Sequence, residues 1–350
     1  MAADLEPGTV APAVTAGVVF AFRKQPGTGL SSSDVWATSL RLCELVEELG
    51  FDEVWLSEHH GATDEYLPTP LIVAAAVGAR TSRLRIGTFA LLAPFYHPVR
   101  LAEDCAAIDT ITNGRFLLGI GLGYRAEEFA ALGIDRSQRA GLTEEIIDIV
   151  IKCWTEDEFN YEGKFFTLSN VRCVPKPVQK PRIPVWIGGY APVGALRAAR
   201  LGDGWLGTGR KSFPGAREAY LAEVEANGRT TQPPMIANSD LPLYQFCTND
   251  PDRDRPIIED LVRKERQMVA RWQTEGNGVP EQEINLDDEV IVATPETFVK
   301  EIQASYERAP FSKYVLNPLL DTGAPVDMVT SSLELFASEV LPAVHALGRA

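Results

Sequence analysis

Short apolar runs alternate along this chain with stretches whose apolar residues recur every three or four positions. The first pattern predicts buried strands and the second amphipathic helices; their alternation predicts a parallel sheet with crossover helices. Residues 17–22 predict the first strand. Ser31, Ser32 and Ser33 then cap a helix whose inward face is Leu42, Leu45, Val46 and Leu49, closed by Gly50. A second strand over 53–57 runs into Glu58, His59 and His60. A helix over 70–80 precedes a third strand over 84–92. Pro98 opens the next helix, where its missing N–H costs little, and Leu101, Cys105 and Ile108 face inward. The Asn113–Gly114 turn leads into a fourth strand over 115–120. Leu142, Ile146, Ile149 and Cys153 mark another helix, and residues 161–168 read as an excursion. A fifth strand over 185–188, a helix over 192–201 and a sixth strand over 204–207 follow.

Beyond that the pattern weakens. A strand falls near 235–238 or 243–247. Residues 248–288 are charged and mostly polar, with one helical stretch over 257–272. They read as a long insertion, of the kind that forms lids or binding elements. A helix over 295–306, a last strand over 313–316 and a helical region over 325–347 close the chain. About eight strand–helix units result. That is the count for an α/β fold of the (β/α)8 TIM-barrel type, one domain over residues 1–350 with a lid-like insertion at about 248–288. A doubly wound open sheet is the alternative.

Composition narrows the class. The chain has 350 residues, 45% hydrophobic and 23% charged, so a large core needs neither metal nor disulfide. The formal net charge of −15 repels phosphate backbones and anionic lipid, so neither nucleic acid nor membrane is an expected partner. Cys43, Cys105, Cys153, Cys173 and Cys247 are odd in number and form no CxxC pair, which suits reduced core thiols in a cytoplasmic protein. The apolar run over 13–22 follows Asp4 and Glu6 and lacks a basic flank, so it is a strand and not a signal peptide. No run approaches the ~18 apolar residues of a membrane span.

In such a barrel the chemistry sits at the C-terminal ends of the strands. Glu58, His59 and His60 end the second strand. A histidine there can reach a ligand in the mouth and exchange a proton near neutral pH; alternatively the pair is structural, bonded to loop carbonyls. Adjacent strand residues face opposite ways, so one histidine faces the site while the other packs. No metal is expected, since His97 is the only other histidine away from the C-terminus. Gly119, Gly121 and Gly123 end the fourth strand. They either let backbone approach a planar ring or serve a tight turn, and they make a poor dinucleotide fingerprint because Tyr124 stands where the third glycine would be. Gly188, Gly189, Tyr190 and Ala191 end the fifth strand and open a helix at Pro192, a natural anion site. Arg139 supplies the countercharge or lies on a solvated helix face. Phe89, beside Ala90 at the end of the third strand, is core by default.

Four stretches, GFDEVWLSEHH (50–60), RLRIGTFALLAPFYHPVRLAEDCAAIDTITNGRFLLGIGLGYRAEEF (83–129), YEGKFFTL (161–168) and PVWIGGYAPVGALRAARLGDGWL (184–206), together resemble the bacterial luciferase-like flavin-dependent monooxygenases. A weaker likeness returns at TPETFVKEI (294–302). The resemblance implies a flavoprotein oxidoreductase acting on paired donors with O2: reduced FMN, supplied by a separate flavin reductase, and O2 oxidise a small organic substrate. It also implies a homodimer. His59 would be the base or proton relay, with Glu58 orienting nearby groups and His60 beside them. Phe89–Ala90 would form a bulge, often a non-proline cis peptide, against the ring, with Gly121 and Gly123 near it. Arg139 and the loop Gly188, Gly189, Tyr190 and Ala191 would hold the phosphate. Gly121 and Leu122 stand where luciferases carry a reactive cysteine and an arginine, which argues against luciferase activity itself; backbone groups or Arg125 would replace that arm of the clamp. One alternative is the deazaflavin coenzyme F420 with hydride transfer, its long anionic tail served by Arg125, Arg139, Arg210 and Lys211. Another is a non-catalytic flavin-binding barrel.

Overall fold

The computed structural model describes residues 14–24, 29–207, 215–231, 234–237, 239–274 and 284–349. Its strands are β1 (Thr15–Phe20), β2 (Glu53–Leu56), β3 (Arg85–Thr88), β4 (Leu91–Leu92), β5 (Phe116–Gly121), β6 (Phe159–Glu162), β7 (Thr167–Val171), β8 (Val185–Gly188), β9 (Gly204–Leu206), β10 (Ile236–Ala237), β11 (Tyr244–Cys247), β12 (Val290–Ala293) and β13 (Lys313–Leu316). Its helices are α1 (Ser32–Glu48), α2 (Pro70–Arg80), α3 (Pro98–Ile111), α4 (Ala126–Ala131), α5 (Arg139–Thr155), α6 (Pro192–Leu201), α7 (Ala216–Ala226), α8 (Pro251–Thr274), α9 (Pro295–Arg308), α10 (Val326–Glu339) and α11 (Leu341–Ala346).

Eight strands close on themselves in the order β1, β2, β3, β5, β8, β9, β10, β13, every pairing parallel, and β13 returns to β1. The fold is a (β/α)8 TIM barrel; an open doubly wound sheet is excluded because each of the eight strands has a partner on both sides, the β3–β5 pairing closing the ring. The helices bury their apolar faces against the outside of the barrel. Ser31 starts α1 with a reciprocal capping box to Asp34, which satisfies two otherwise orphaned N–H groups. All five cysteines are buried and free.

The barrel interior is packed by one residue from nearly every strand: Val19, Trp55, Leu117, Trp186, Leu206, Ala237 and Val315. The two indoles meet edge to face, with centroids 6.5 Å apart. Glycines on neighbouring strands make room for them. A Cβ on Gly87 would lie 2.4 Å from Trp55, and one on Gly204 would lie 2.4 Å from Trp186. At the N-terminal end of the barrel Lys313 is ion-paired with buried Glu53, and its ammonium lies 5.0 Å from the Trp186 ring centroid. Trp55 Nε1 donates to Glu53 at 3.0 Å. The buried charges and both indoles therefore form one network.

Four departures from the sequence-based pattern have physical causes. The third strand, expected to be continuous over 84–92, breaks into β3 and β4 at a cis Phe89–Ala90 peptide. There Thr88 Oγ1 donates to Gly119 O at 2.7 Å and accepts from Gly119 N at 2.9 Å, tying β3 to β5 through a side chain. The excursion at 161–168 is an antiparallel β6–β7 hairpin. The carboxylate of Glu145 on α5 accepts the N–H groups of Lys164, Phe165 and Phe166 at its tip. Of the two expected positions for the seventh strand, the barrel uses Ile236–Ala237, and Asn238 lies outside the described residues. Tyr244–Cys247 instead pairs in parallel with β12. The polar insertion lies between these two parallel strands and carries α8, longer than the helical stretch expected over 257–272; parallel partners require such a crossover, and residues 275–283 lie outside the described residues. The six-residue α4 is too short to be read from periodicity, whereas α7 has apolar residues at helical spacing, Ala216, Tyr220 and Val224, and is an element the pattern reading passed over.

The glycine–indole contacts make a stability prediction. Gly87→Ala should cost about 1–3 kcal/mol through overpacking, measured as a lower urea midpoint. Combined with Trp55→Phe it should cost clearly less than the sum of the two single changes; simple additivity would refute the steric account.

Candidate functional site

The C-terminal ends of β2, β3 and β5 meet at the barrel mouth. Alternation along β2 turns Trp55 into the barrel and leaves the residues after it at the rim. There two buried carboxylates each claim one histidine. Glu58, 2% exposed, accepts from His60 Nε2 at 2.8 Å, from Tyr96 Oη at 2.9 Å and from the Leu92 backbone N–H at 2.7 Å. It therefore ties the end of β2 to β4. Its hydrogen bond raises the pKa of His60 above the usual imidazole value. His59 has a different partner. Its Nδ1 is 2.8 Å from Oε1 of Glu128 on α4, and its Nε2 is 3.4 Å from Tyr124 Oη.

Burial works against the Glu128 charge, but the bonds from His59 and the His60 N–H and the charge of Arg125 prevail and hold its pKa below the usual carboxylate range. Arg125 donates to His60 O at 3.0 Å and lies 3.4 Å from Glu128 Oε1. Its guanidinium stacks 4.4 Å from the Trp272 ring centroid. The rings of Tyr66, Tyr124 and Trp272 stand 4.8, 5.4 and 5.3 Å from His59. Burial pushes the phenols of Tyr66 and Tyr124 up, so both keep their protons. Trp272 comes from α8. That helix is held to the barrel by buried Arg23, which pairs with Asp64 and with Glu265.

The other expected site residues fall into two groups. Phe89 meets Trp55 edge-on at 6.0 Å. Phe89 and Ala90 both pack on the interior cluster, and a Cβ on Gly121 would lie 3.2 Å from Ala90 Cβ. These residues form one platform at the mouth. Gly123 has φ +76°, and a Cβ there would lie 3.1 Å from Phe129, so a turn and local packing account for it. Gly189 packs against Gly194, where a Cβ would meet backbone at 2.8 Å, and its carbonyl accepts from Trp205 Nε1 at 2.9 Å. The bend from Gly188 through Gly189 to the Ala191 cap of α6 thus has a structural reason as well. Tyr190 is 50% exposed.

Arg139 opens α5 and donates to Arg136 O at 2.9 Å. Burial and the neighbouring charges of Arg136 and Arg197 lower its pKa. Arg136 Nε and Thr143 Oγ1 are buried without a hydrogen-bond partner. Clustered guanidiniums with spare donors suit a phosphate group, and Arg139, Arg136 and Arg197 are the residues that could hold one. Arg125 is committed inside the mouth. Arg210 and Lys211 lie outside the described residues.

The pattern of the luciferase-like monooxygenases matches residues 15–313. The chain belongs to the luciferase-like monooxygenase family. It is 25% identical over 328 residues to the oxygenase component of the flavin-dependent trigonelline monooxygenase of Acinetobacter baylyi, covering 87% of this chain and 88% of that one. It is 27% identical over 319 residues to the F420-dependent glucose-6-phosphate dehydrogenase of Amycolatopsis mediterranei, covering 86% and 92%. Against some other curated relatives the match spans about half of each protein, as with one that is 31% identical over 183 residues, 52% of either chain. The crystal structure of the monooxygenase RslO1 from Streptomyces bottropensis superposes with a TM-score of 0.82 at 25% identity, covering 94% of this family member and 99% of that chain.

Motif reading missed Tyr66, Glu128 and Trp272. Glu128 had one legible signal, its place three residues after Arg125 on a helical turn. Tyr66 and Trp272 had none, since their approach to His59 depends on how the loop after β2 and the helix α8 fold back.

The Glu58 bond gives His60 a pH signature. Its pKa is raised in the folded state, so its stabilisation should be complete below the unfolded value of about 6.5 and fade as pH rises through the higher folded value. Urea unfolding of wild type and His60→Gln from pH 5 to 9 should show the largest gap at the acid end. A pH-independent gap would contradict the pairing.

Proposed function

We propose that this protein is the oxygenase in a flavin-dependent monooxygenase reaction, using reduced FMN, delivered by a separate reductase, and O2 to oxidise a small organic substrate. The observation that carries the reading is His59 at the barrel mouth, walled by Tyr66, Tyr124 and Trp272 beside the Phe89–Ala90 and Gly121 platform. The names of the trigonelline monooxygenase component and of RslO1 agree with it. Bound reduced FMN would supply the electrons for O2 chemistry, its phosphate on Arg139 and its neighbours.

The chain's own residues have separable tasks. His59 takes or gives a proton at Nε2. Glu58 keeps the β4 bulge and His60 in place. The platform lets a planar ring lie close to backbone. Helix α8, with the two strands that flank it, acts as a lid whose Trp272 keeps water from His59.

The F420-dependent relative favours a second reading, hydride transfer with a deazaflavin. Arg125, a candidate cation for either cofactor's phosphates, is engaged by Glu128, His60 and Trp272 and so is spent for both.

Titrating the protein with reduced FMN and with reduced F420, followed by fluorescence and oxygen uptake, separates these. Reduced FMN should bind at least about tenfold more tightly, a difference of about 1.4 kcal/mol, and its complex should consume O2. Preference for F420 without oxygen uptake would establish the second reading. His59→Ala should keep reduced-FMN binding and slow oxygen-dependent turnover about 10²–10⁴-fold. Unchanged turnover in that variant would point to a non-catalytic barrel.

A further inference from the structure

Building on the role given to His59, we propose that Glu128 is its positioning residue: it fixes the imidazole tautomer that presents a bare Nε2 to Tyr124 and the barrel mouth.

Glu128 Oε1 lies 2.8 Å from His59 Nδ1. The neighbouring bonds and the Arg125 charge favour its ionised form. An ionised carboxylate only accepts, so the proton of neutral His59 sits on Nδ1 and the lone pair on Nε2. The same Oε1 accepts the His60 backbone N–H at 2.9 Å. One oxygen thus fixes both the His59 ring and the chain that follows it.

Arg125 supplies positive charge without displacing the imidazole. It lies 3.4 Å from Oε1, and both its Nε and Glu128 Oε2 are buried without a hydrogen-bond partner. The pair is therefore single-pronged, with the guanidinium turned toward the Trp272 ring and the His60 carbonyl. Nδ1 keeps the shortest bond that Oε1 receives.

The neighbouring acid is spoken for. Glu58 spends its oxygens on His60, Tyr96 and Leu92. The residue that sequence reading assigned to orienting the site therefore has no bond to His59, and Glu128, on a different strand–helix unit, does. Beyond Nε2, Tyr124 Oη stands at 3.4 Å. Its raised pKa keeps it a donor, so Tyr124, His59 and Glu128 form a line of hydrogen-bonding groups running from the mouth to a buried anion.

The test is the tautomer itself. In protein labelled with ¹⁵N-histidine, His59 should show a protonated Nδ1 and a bare Nε2 at pH values where the ring is neutral. Glu128→Gln is isosteric, but its amide can donate to Nδ1, so the signals should exchange and the proton should move to Nε2. Glu128→Asp, still an acceptor, should retain or largely restore the wild-type pattern. With reduced FMN bound, Glu128→Gln should lower oxygen-dependent turnover about 10²–10⁴-fold, the range over which general acid–base groups act, while binding of reduced FMN changes little. A wild-type spectrum with the proton on Nε2 would overturn the proposal even if the variant failed to fold. An unchanged tautomer in a folded Glu128→Gln would overturn it too. The expected spectra in a protein that consumes no O2 with any flavin would uphold Glu128 as the positioning residue and overturn the monooxygenase reading instead.

Discussion

Two tryptophans set the bore of this barrel. Trp55 and Trp186 reach in from β2 and β8, and the strands beside them can pass only because they carry glycine at the level of the rings. A parallel eight-stranded barrel is filled by side chains in layers, and here two indoles are the largest groups of the interior cluster. That choice has consequences at both ends. Toward the N-terminal end, Trp55 Nε1 bonds to Glu53, which in turn compensates Lys313; burying either charge alone would be expensive. Toward the other end, the Trp55 ring meets Phe89, so the packed layer is also the floor on which the broken third strand rests.

Above that floor the mouth follows a simple electrostatic division. Each histidine has one buried acid, and the acids come from different strand–helix units. Glu58 acts on backbone as much as on its histidine, because the Leu92 N–H it accepts belongs to the strand fragment past the bend. Glu128 acts on His59 and on the peptide that follows. Removing one acid would leave the other pair's direct bonds in place. The site is thus two modules placed side by side, and an aromatic wall, to which α8 contributes Trp272, covers one of them.

Most of the barrel was legible because its elements obey their own local rules. The stretch 185–188 is a run of apolar residues between prolines and glycines, and 192–201 begins with proline at its first turn; both elements stand where the pattern puts them. The fourth strand and the helices over 70–80 and 98–111 follow the same logic. The sequence pattern was blind where a long-range contact decides. Nothing in IANS or YQFC says that the first enters the barrel and the second leaves it to pair with Val290–Ala293. The site divides in the same way. Glu58, His59 and His60 are contiguous and stand out among four histidines. Glu128 lies 69 positions from His59, and Trp272 reaches it from the far half of the chain. The acid next to the histidines in sequence was the natural partner to expect, and alternation of side chains along a strand sends it elsewhere.

Helix α8 carries two jobs on one stripe. Ile258, Val262 and Glu265 are buried along it, and Met268 and Trp272 continue the same face at helical spacing. The residue that fastens the helix to Arg23 and the residue that walls His59 are therefore locked in phase. One residue added between them would turn Trp272 by about 100° away from the mouth while Glu265 stayed anchored. Divergence within this segment can exchange the side chains off the buried stripe but can change length only outside 265–272.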